Sequence, residues 1–361
     1  MTEDRPLDYD ATLAAAEAAY RDLRLVEAAD AYRRAEALRP DAYEPLLGLA
    51  RTLTRQRRHA EALAATERLL AIAPERWEGH AALGALHFLT DRYDDASAAL
   101  LRAAELAPEE PEPHLTLAQL RADTGAFDEA HRSLERARAL ILASYMGAER
   151  EELEALAFHV EAYVLLAEGR EAEAAEAAQR VVAMRAANPH AATLAYSNLG
   201  ILAARRRDLE GAIEYLEAAY AMNPFFFRVG GALGRILLVR QRYPRAAEVL
   251  AQTLETAPEP DGATRYAYGL ALARLGRRGE AEEQFRRALQ EPGLKGVARA
   301  MAAAQMVWQS AWGRYALVAA GLAALAGWLW WFRPQPQTLV LVALFIGFFA
   351  VQRFLRSRRK G

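Results

Sequence analysis

Residues 196–224 run YSNLGILAARRRDLEGAIEYLEAAYAMNP. Tyr196, Leu199, Gly200 and Ala203 follow the pattern aromatic-x2-Leu-Gly-x2-small; Ala212, Leu216, Ala219 and Pro224 follow Ala-x3-Leu-x2-Ala-x4-Pro. Both patterns carry the three- and four-residue spacing of a helix face. Working outward, Pro224 is one of seven prolines at 40, 74, 108, 189, 224, 258 and 292, and five of the six intervals between them are 34 or 35 residues. A period of that size is one helix-turn-helix unit, too small to bury its own apolar face, so the units must stack into a solenoid. The exception, Pro108 to Pro189, spans 81 residues and holds two units plus an insertion.

The same offsets recur elsewhere. His80, Leu83, Gly84, His87, Ala96, Leu100 and Ala103 precede Pro108; Tyr268, Gly269, Leu272, Ala281, Phe285 and Ala288 precede Pro292; and Ala28, Tyr32 and Ala35 precede Pro40. On these residues the chain resembles the tetratricopeptide repeats (TPRs). The resemblance covers roughly four fifths of the sequence and implies an all-α, right-handed TPR-type α-solenoid of about eight helix-turn-helix repeats. Small residues let the two helices of a unit approach closely, larger ones fill the space between neighbours, and proline is expected to end each second helix. The units are placed at about 9–42, 43–76, 77–110, 111–144, 155–191, 193–226, 227–261 and 262–292, after an N-terminal tail 1–8 and around a helical insertion 145–154.

Composition divides the chain. From Gly293 onward stand nine basic residues and no acidic one, so of 45 basic and 47 acidic residues the solenoid keeps 36 and 47, a net of −11. An acidic solenoid is a poor electrostatic match for phosphate backbones, which disfavours nucleic acid as the main partner. Cysteine is absent, which excludes disulfides, thiolate metal sites and a cysteine nucleophile. The acidic start, MTEDRPLD, lacks the basic-then-apolar run of a secretory signal.

A capping or juxtamembrane helix is expected over 293–312. Beyond it, residues 315–332 carry no charge, are bracketed by aromatics (Trp308, Trp312 and Tyr315; Trp328, Trp330 and Trp331), and meet the length of a membrane span. The sequence therefore predicts transmembrane helix 313–332, a loop 333–337, a second and shorter transmembrane helix 338–352, and a basic tail 353–361. A re-entrant or interfacial helix is the other reading of the second run. The basic tail and the positive-inside bias predict an integral protein of the cytoplasmic membrane, with solenoid and C-terminus in the cytoplasm.

In TPR proteins the first helix of each unit lines the concave face, and the resemblance implies a protein or peptide partner lying along it. Counted from each unit start, the peptide-binding candidates in the second half are His159, Tyr163, Asn198, Ile201, Arg205, Arg228, Arg235, Leu238, Tyr266, Leu270 and Arg274, with Leu166 beside them. Their four arginines suit an acidic segment or a C-terminal carboxylate. The first half offers Asp10, Glu17, Glu44, Glu78, Glu112 and Asp123 against Arg21, Arg51 and Arg55, so the face is expected to be acidic early and basic late. The carboxylate clamp of the chaperone-binding subclass is matched only at Asn198 and Arg228; His159, Tyr163 and Ala232 stand where Lys, Asn and Arg would be expected. Phe225-Phe226-Phe227, at a unit junction, reads as a plug of the seam between repeats or as an exposed anchor.

No phosphate loop, nucleophile elbow, glycine-rich dinucleotide turn or metal-binding His-Glu-x-x-His is present. His80, His87 and His114 occupy ring positions suited to packing. The sequence points to no catalysis, cofactor or metal. It points to a membrane-anchored scaffold or adaptor, or to an accessory or assembly subunit of a membrane enzyme or transport complex. The oligomeric state is left open.

Overall fold

The computed structural model describes residues 8–257 and 261–309, and within them it is all-helical. Seventeen helices run in order: α1 Tyr9–Arg21, α2 Leu25–Leu38, α3 Tyr43–Arg55, α4 His59–Ile72, α5 Trp77–Leu89, α6 Tyr93–Leu106, α7 Pro111–Asp123, α8 Phe127–Ser144, α9 Gly147–Ala167, α10 Glu171–Ala183, α11 Pro189–Arg205, α12 Leu209–Met222, α13 Phe227–Val239, α14 Tyr243–Thr256, α15 Gly262–Arg274, α16 Arg278–Gln290 and α17 Gly296–Gln309. They form eight antiparallel pairs and a final helix laid on α16. The expected transmembrane helices 313–332 and 338–352 lie outside the described residues; among those described, no helix is long and apolar enough to cross a membrane.

Each pair is closed by the same turn. The backbone N–H three residues past the first helix donates to a carbonyl five residues back, as in Arg24 to Ala19, Arg58 to Leu53, Asp208 to Ala203 and Arg242 to Leu237, each at 2.9 Å. This Schellman bond needs the residue between to adopt positive φ. Gly125, Gly169 and Gly276 do so without strain, but Leu23, Arg57, Asp91, Arg207 and Gln241 adopt it as well. In five of the eight pairs the second helix then starts on an arginine that reaches the carboxylate three residues on, as Arg58 does to Glu61 and Arg277 to Glu280, both at 2.7 Å.

Prolines close most second helices two residues after their last turn, as at Pro40, Pro74, Pro108 and Pro224. Pro189 behaves differently. Helix α10 stops at Ala183, and Pro189 is the first residue of α11, whose Asn188 cap accepts the N–H of Ala191 at 2.9 Å. Proline suits that position because its missing donor would be unpaired there anyway. The stretch 147–154 forms the first two turns of α9, a helix of 21 residues against the usual 13 or 14.

Alanine dominates the interior; Ala28, Ala62, Ala96, Ala130, Ala174, Ala212, Ala246 and Ala281 are all fully buried at the start of successive second helices. Odd-numbered helices pack on the next odd-numbered one through most of the array (α1 on α3, α3 on α5, α5 on α7, α7 on α9, α9 on α11, α13 on α15), which puts them on the inner, concave side. The turn of the superhelix then brings the first two units round to the sixth and seventh. The Arg57 guanidinium sits 5.4 Å from the Phe226 ring centre, and a gap of about 250 Å³ between Val26, Arg58, Phe225 and Thr256 marks the seam.

Candidate peptide-binding channel

Closure of the turn makes a cavity of about 300 Å³ on the concave side. Helices α1 and α3 supply Glu17, Tyr20, Arg21, Leu47, Arg51 and Arg55, Arg76 comes from the turn before α5, and Glu152, Asn188 and His190 close it from the opposite wall. Arginine and tyrosine meet repeatedly at its rim. Arg55 stacks on Tyr20 at 3.9 Å and Arg76 on Tyr43 at 3.6 Å, geometries in which the ring quadrupole attracts the cation.

The acidic early face expected from sequence is neutralised in the fold. Arg51 reaches across two units to Glu112 at 3.2 Å, Arg76 holds Glu78 at 2.7 Å and Glu44 at 3.7 Å, and Asp10 faces Arg39 at 3.8 Å. Asp123 accepts the Tyr163 hydroxyl at 2.6 Å. What remains without a carboxylate is a set of arginines. Among the described residues, Arg55, Arg57 and Arg228 form no ion pair, as is also true of several exposed arginines such as Arg235; what sets these three apart is that they are grouped.

These arginines share one neighbourhood. Burial, with the charge of Arg228 beside it, lowers the Arg57 guanidinium to about 10. Burial also lowers Arg55. His190 is driven well below its ordinary value, first by burial and then by Arg55, His159 and Arg57. His159, fully enclosed, drops to about 4 through burial, and its Nε2 lies 3.3 Å from the Gln119 amide. Both imidazoles are therefore neutral at pH 7, while the arginines keep their charge. Their Nδ1 atoms are buried without a hydrogen-bond partner.

Of the residues expected to bind a peptide, the fold gathers His159, Tyr163 and Arg228 around this cluster. Asn198 is half-buried on α11, with a buried amide nitrogen that has no acceptor. Ile201 is exposed. Arg205 is tied to Glu171 at 3.0 Å. Arg235 is exposed and forms no ion pair among the described residues. Leu238 packs on the core of units six and seven, and Tyr266 and Leu270 pack against Phe285 and its neighbours. Arg274 leans on Tyr243 at 5.9 Å. Sequence reasoning missed Arg57 and His190, because no spacing rule pairs residue 57 with residues 190 and 228. Phe225, Phe226 and Phe227 are half-buried, Phe226 packing on the core of the seventh unit. His80 donates to the Pro74 carbonyl at 2.8 Å, and among the described residues no group of three or more His, Asp or Glu is placed to hold a metal ion.

Comparison with known proteins fits this architecture. Tetratricopeptide repeat profiles match residues 47–111 and 159–225 in one form and 203–271 in another. Among solved structures, the chain is similar to the Cut9–Hcn1 hetero-tetramer of APC/C (TM-score 0.56, 16% identity, 83% of this chain and 55% of that one). It is also similar to a human IFIT1 dimer with PPP-AAAA (TM-score 0.52, 17% identity, 82% of this chain and 73% of that one). This chain thus spans just over half the length of the Cut9–Hcn1 chain it matches. No curated protein sequence matches it. The chain carries tetratricopeptide repeats and folds as an all-helical TPR-like solenoid.

Proposed function

We propose that this protein is a membrane-tethered scaffold whose concave channel takes an acidic segment, or a free C-terminal carboxylate, of a partner protein. The observation that carries the reading is the set Arg55, Arg57 and Arg228, none with an ion pair among the described residues: Arg55 lines the channel, and Arg57 and Arg228 face each other beside it where the two ends of the superhelical turn meet. Keeping like charges together costs stability, and a carboxylate arriving there recovers it through charge-assisted hydrogen bonds. Nothing in the channel resembles an activated nucleophile beside a base, so the reading is binding and not catalysis. The tether rests on the uncharged run 315–332 and the basic end of the chain, which favour the cytoplasmic membrane with the solenoid in the cytoplasm.

The test is direct binding of a fluorescein-labelled Asp/Glu-rich peptide with a free C-terminus to the detergent-solubilised chain, read by anisotropy. Arg57→Glu together with Arg228→Glu weakens the complex by at least about 10-fold, consistent with loss of a charged hydrogen bond. Equal affinity of the double variant and the wild type refutes the site. Release of the protein from membranes by alkaline carbonate refutes the tether.

A further inference from the structure

Helix α17 is the last described helix of the array, and an end unit in a soluble solenoid needs a polar outer face. Its inner face is conventional: Ala298, Ala302 and Met306 pack on the eighth unit beside Leu294, Leu289 and Tyr266. The outer face is apolar. Val297 is 76% exposed, Met301 52% and Trp308 38%, with Ala300 and Ala304 exposed between them. At 100° per residue these five fall within an arc of about 100°, and the stripe from Val297 to Trp308 runs about 16 Å. Among the helix's exposed residues only Arg299 is charged.

We infer that this face of α17 lies on the lipid surface, with Val297, Met301 and Trp308 in the boundary between headgroups and acyl chains. Two observations choose lipid as the occupant. The uncharged run 315–332 begins six residues after α17 ends, so the inference rests on the tether reading, which would hold the helix at the bilayer. Along the sequence the charge from here on is one-signed: Lys295, Arg299 and Arg314 follow Glu291 and no acidic residue does. Basic residues before and after an apolar stripe in sequence complement anionic headgroups, and tryptophan favours that depth because its ring is apolar and its N–H polar. The remainder of the solenoid carries net negative charge, which anionic lipid repels, so α17 is the contact and the array projects away from it.

The chain has no cysteine, so single-cysteine labelling of the full-length protein is clean. Bimane is placed at Met301→Cys or Val297→Cys on α17, at Arg286→Cys on α16 and at Leu322→Cys in the uncharged run. Each variant is reconstituted in phosphatidylcholine–phosphatidylglycerol vesicles and exposed to lipids with a nitroxide high on the acyl chain, or to iodide. The inference expects about two-fold quenching by the lipid nitroxide at 297, 301 and 322, and iodide quenching alone at 286. If 322 is quenched by lipid while 301 is quenched only by iodide, the tether stands and the inference falls. If neither is quenched by lipid and the protein does not float with vesicles, the tether falls and takes the inference with it. If 301 escapes both quenchers and oxidation yields a disulfide-linked dimer, the face belongs to a second copy and the lipid assignment is overturned.

Discussion

Substituting Gly200 by alanine tests the packing logic that builds every unit. A Cβ there would lie 2.6 Å from Leu216 Cγ, 2.8 Å from Leu216 Cδ2 and 3.4 Å from the Leu216 backbone nitrogen. Carbon atoms prefer about 3.5–4 Å, so the overlap approaches about 1 Å. Leu216 is 1% exposed and has nowhere to turn, and its backbone is close as well, so α11 and α12 must part. Overpacking of this kind costs about 1–3 kcal/mol, while alanine's better helix propensity returns about 1 kcal/mol, leaving a net loss of up to about 2 kcal/mol. Gly279 supplies the control. Nothing lies within 4 Å of its built Cβ, so the same chemical change there is neutral or stabilising by about 0.5 kcal/mol. Urea unfolding followed by far-UV circular dichroism gives the shift in midpoint; because repeat arrays can unfold in parts, hydrogen exchange over α11 and α12 localises it. In the Gly200→Ala background, Leu216→Ala costs less than it does alone, a coupling of about 1 kcal/mol or more. Equal effects at positions 200 and 279 would refute the close-approach argument.

Two further outcomes follow from the turns and the buried rings. Gln241 holds φ +60° at the turn between α13 and α14, so Gln241→Gly relieves about 1–2 kcal/mol of left-handed strain against about 0.5–1 kcal/mol of added unfolded-state entropy, for a net gain of up to about 1 kcal/mol in thermal or urea unfolding. His159 is held neutral by burial, its value lowered from 6.5 to about 4, while the unfolded chain takes up that proton near 6.5. Its contribution is therefore fully present above pH 6.5 and is lost as pH falls from there toward 4, with a slope of at most about 1.4 kcal/mol per pH unit; His159→Gln flattens that part of the stability–pH curve.

The repeat was legible because one physical requirement, close approach of two helices, fixes residue size at fixed offsets. Gly84, Gly200, Gly234 and Gly269 each meet a large side chain of the paired helix, Leu100, Leu216, Leu250 and Phe285 in turn, and Gly48 meets Tyr32 of the preceding unit. The turns were not legible in the same way. Five of the eight positive-φ turn residues are Leu, Arg, Asp, Arg and Gln, so the usual glycine signal is missing, and the hydrogen-bonded turn imposes the conformation on whatever residue stands there. Pro189 misled for a related reason: proline is equally suited to following a helix and to beginning one, and spacing alone does not distinguish them. The groove was legible as a set of inward positions but not as a site. Its charges depend on which units the superhelix brings face to face, and that is set by small rotations accumulated over six units and by the longer α8, α9 and α11.

That dependence gives the arginine cluster an unusual energetic position. Arg57 is half-buried in a positive-φ turn, faces the charge of Arg228, and recovers only its stack on Phe226. Lowering a guanidinium from its ordinary value to about 10 corresponds to a penalty of order 3 kcal/mol on the charged form, an upper bound for what neutralisation releases. Losing the stack costs about 0.5–1 kcal/mol. Arg57→Gln should therefore make the unliganded protein more stable by about 1–2 kcal/mol while weakening the acidic peptide, the opposite signs expected of a residue kept for binding and not for folding. A bound carboxylate supplies the missing counter-charge and so links the second unit to the seventh. Peptide at 100 times its Kd adds about 2.7 kcal/mol to the wild type and slows hydrogen exchange in α3 and α13 together, although 171 residues separate positions 57 and 228. If Arg57→Gln lowers stability, or if peptide protects α13 without α3, then the two ends of the turn do not form one site.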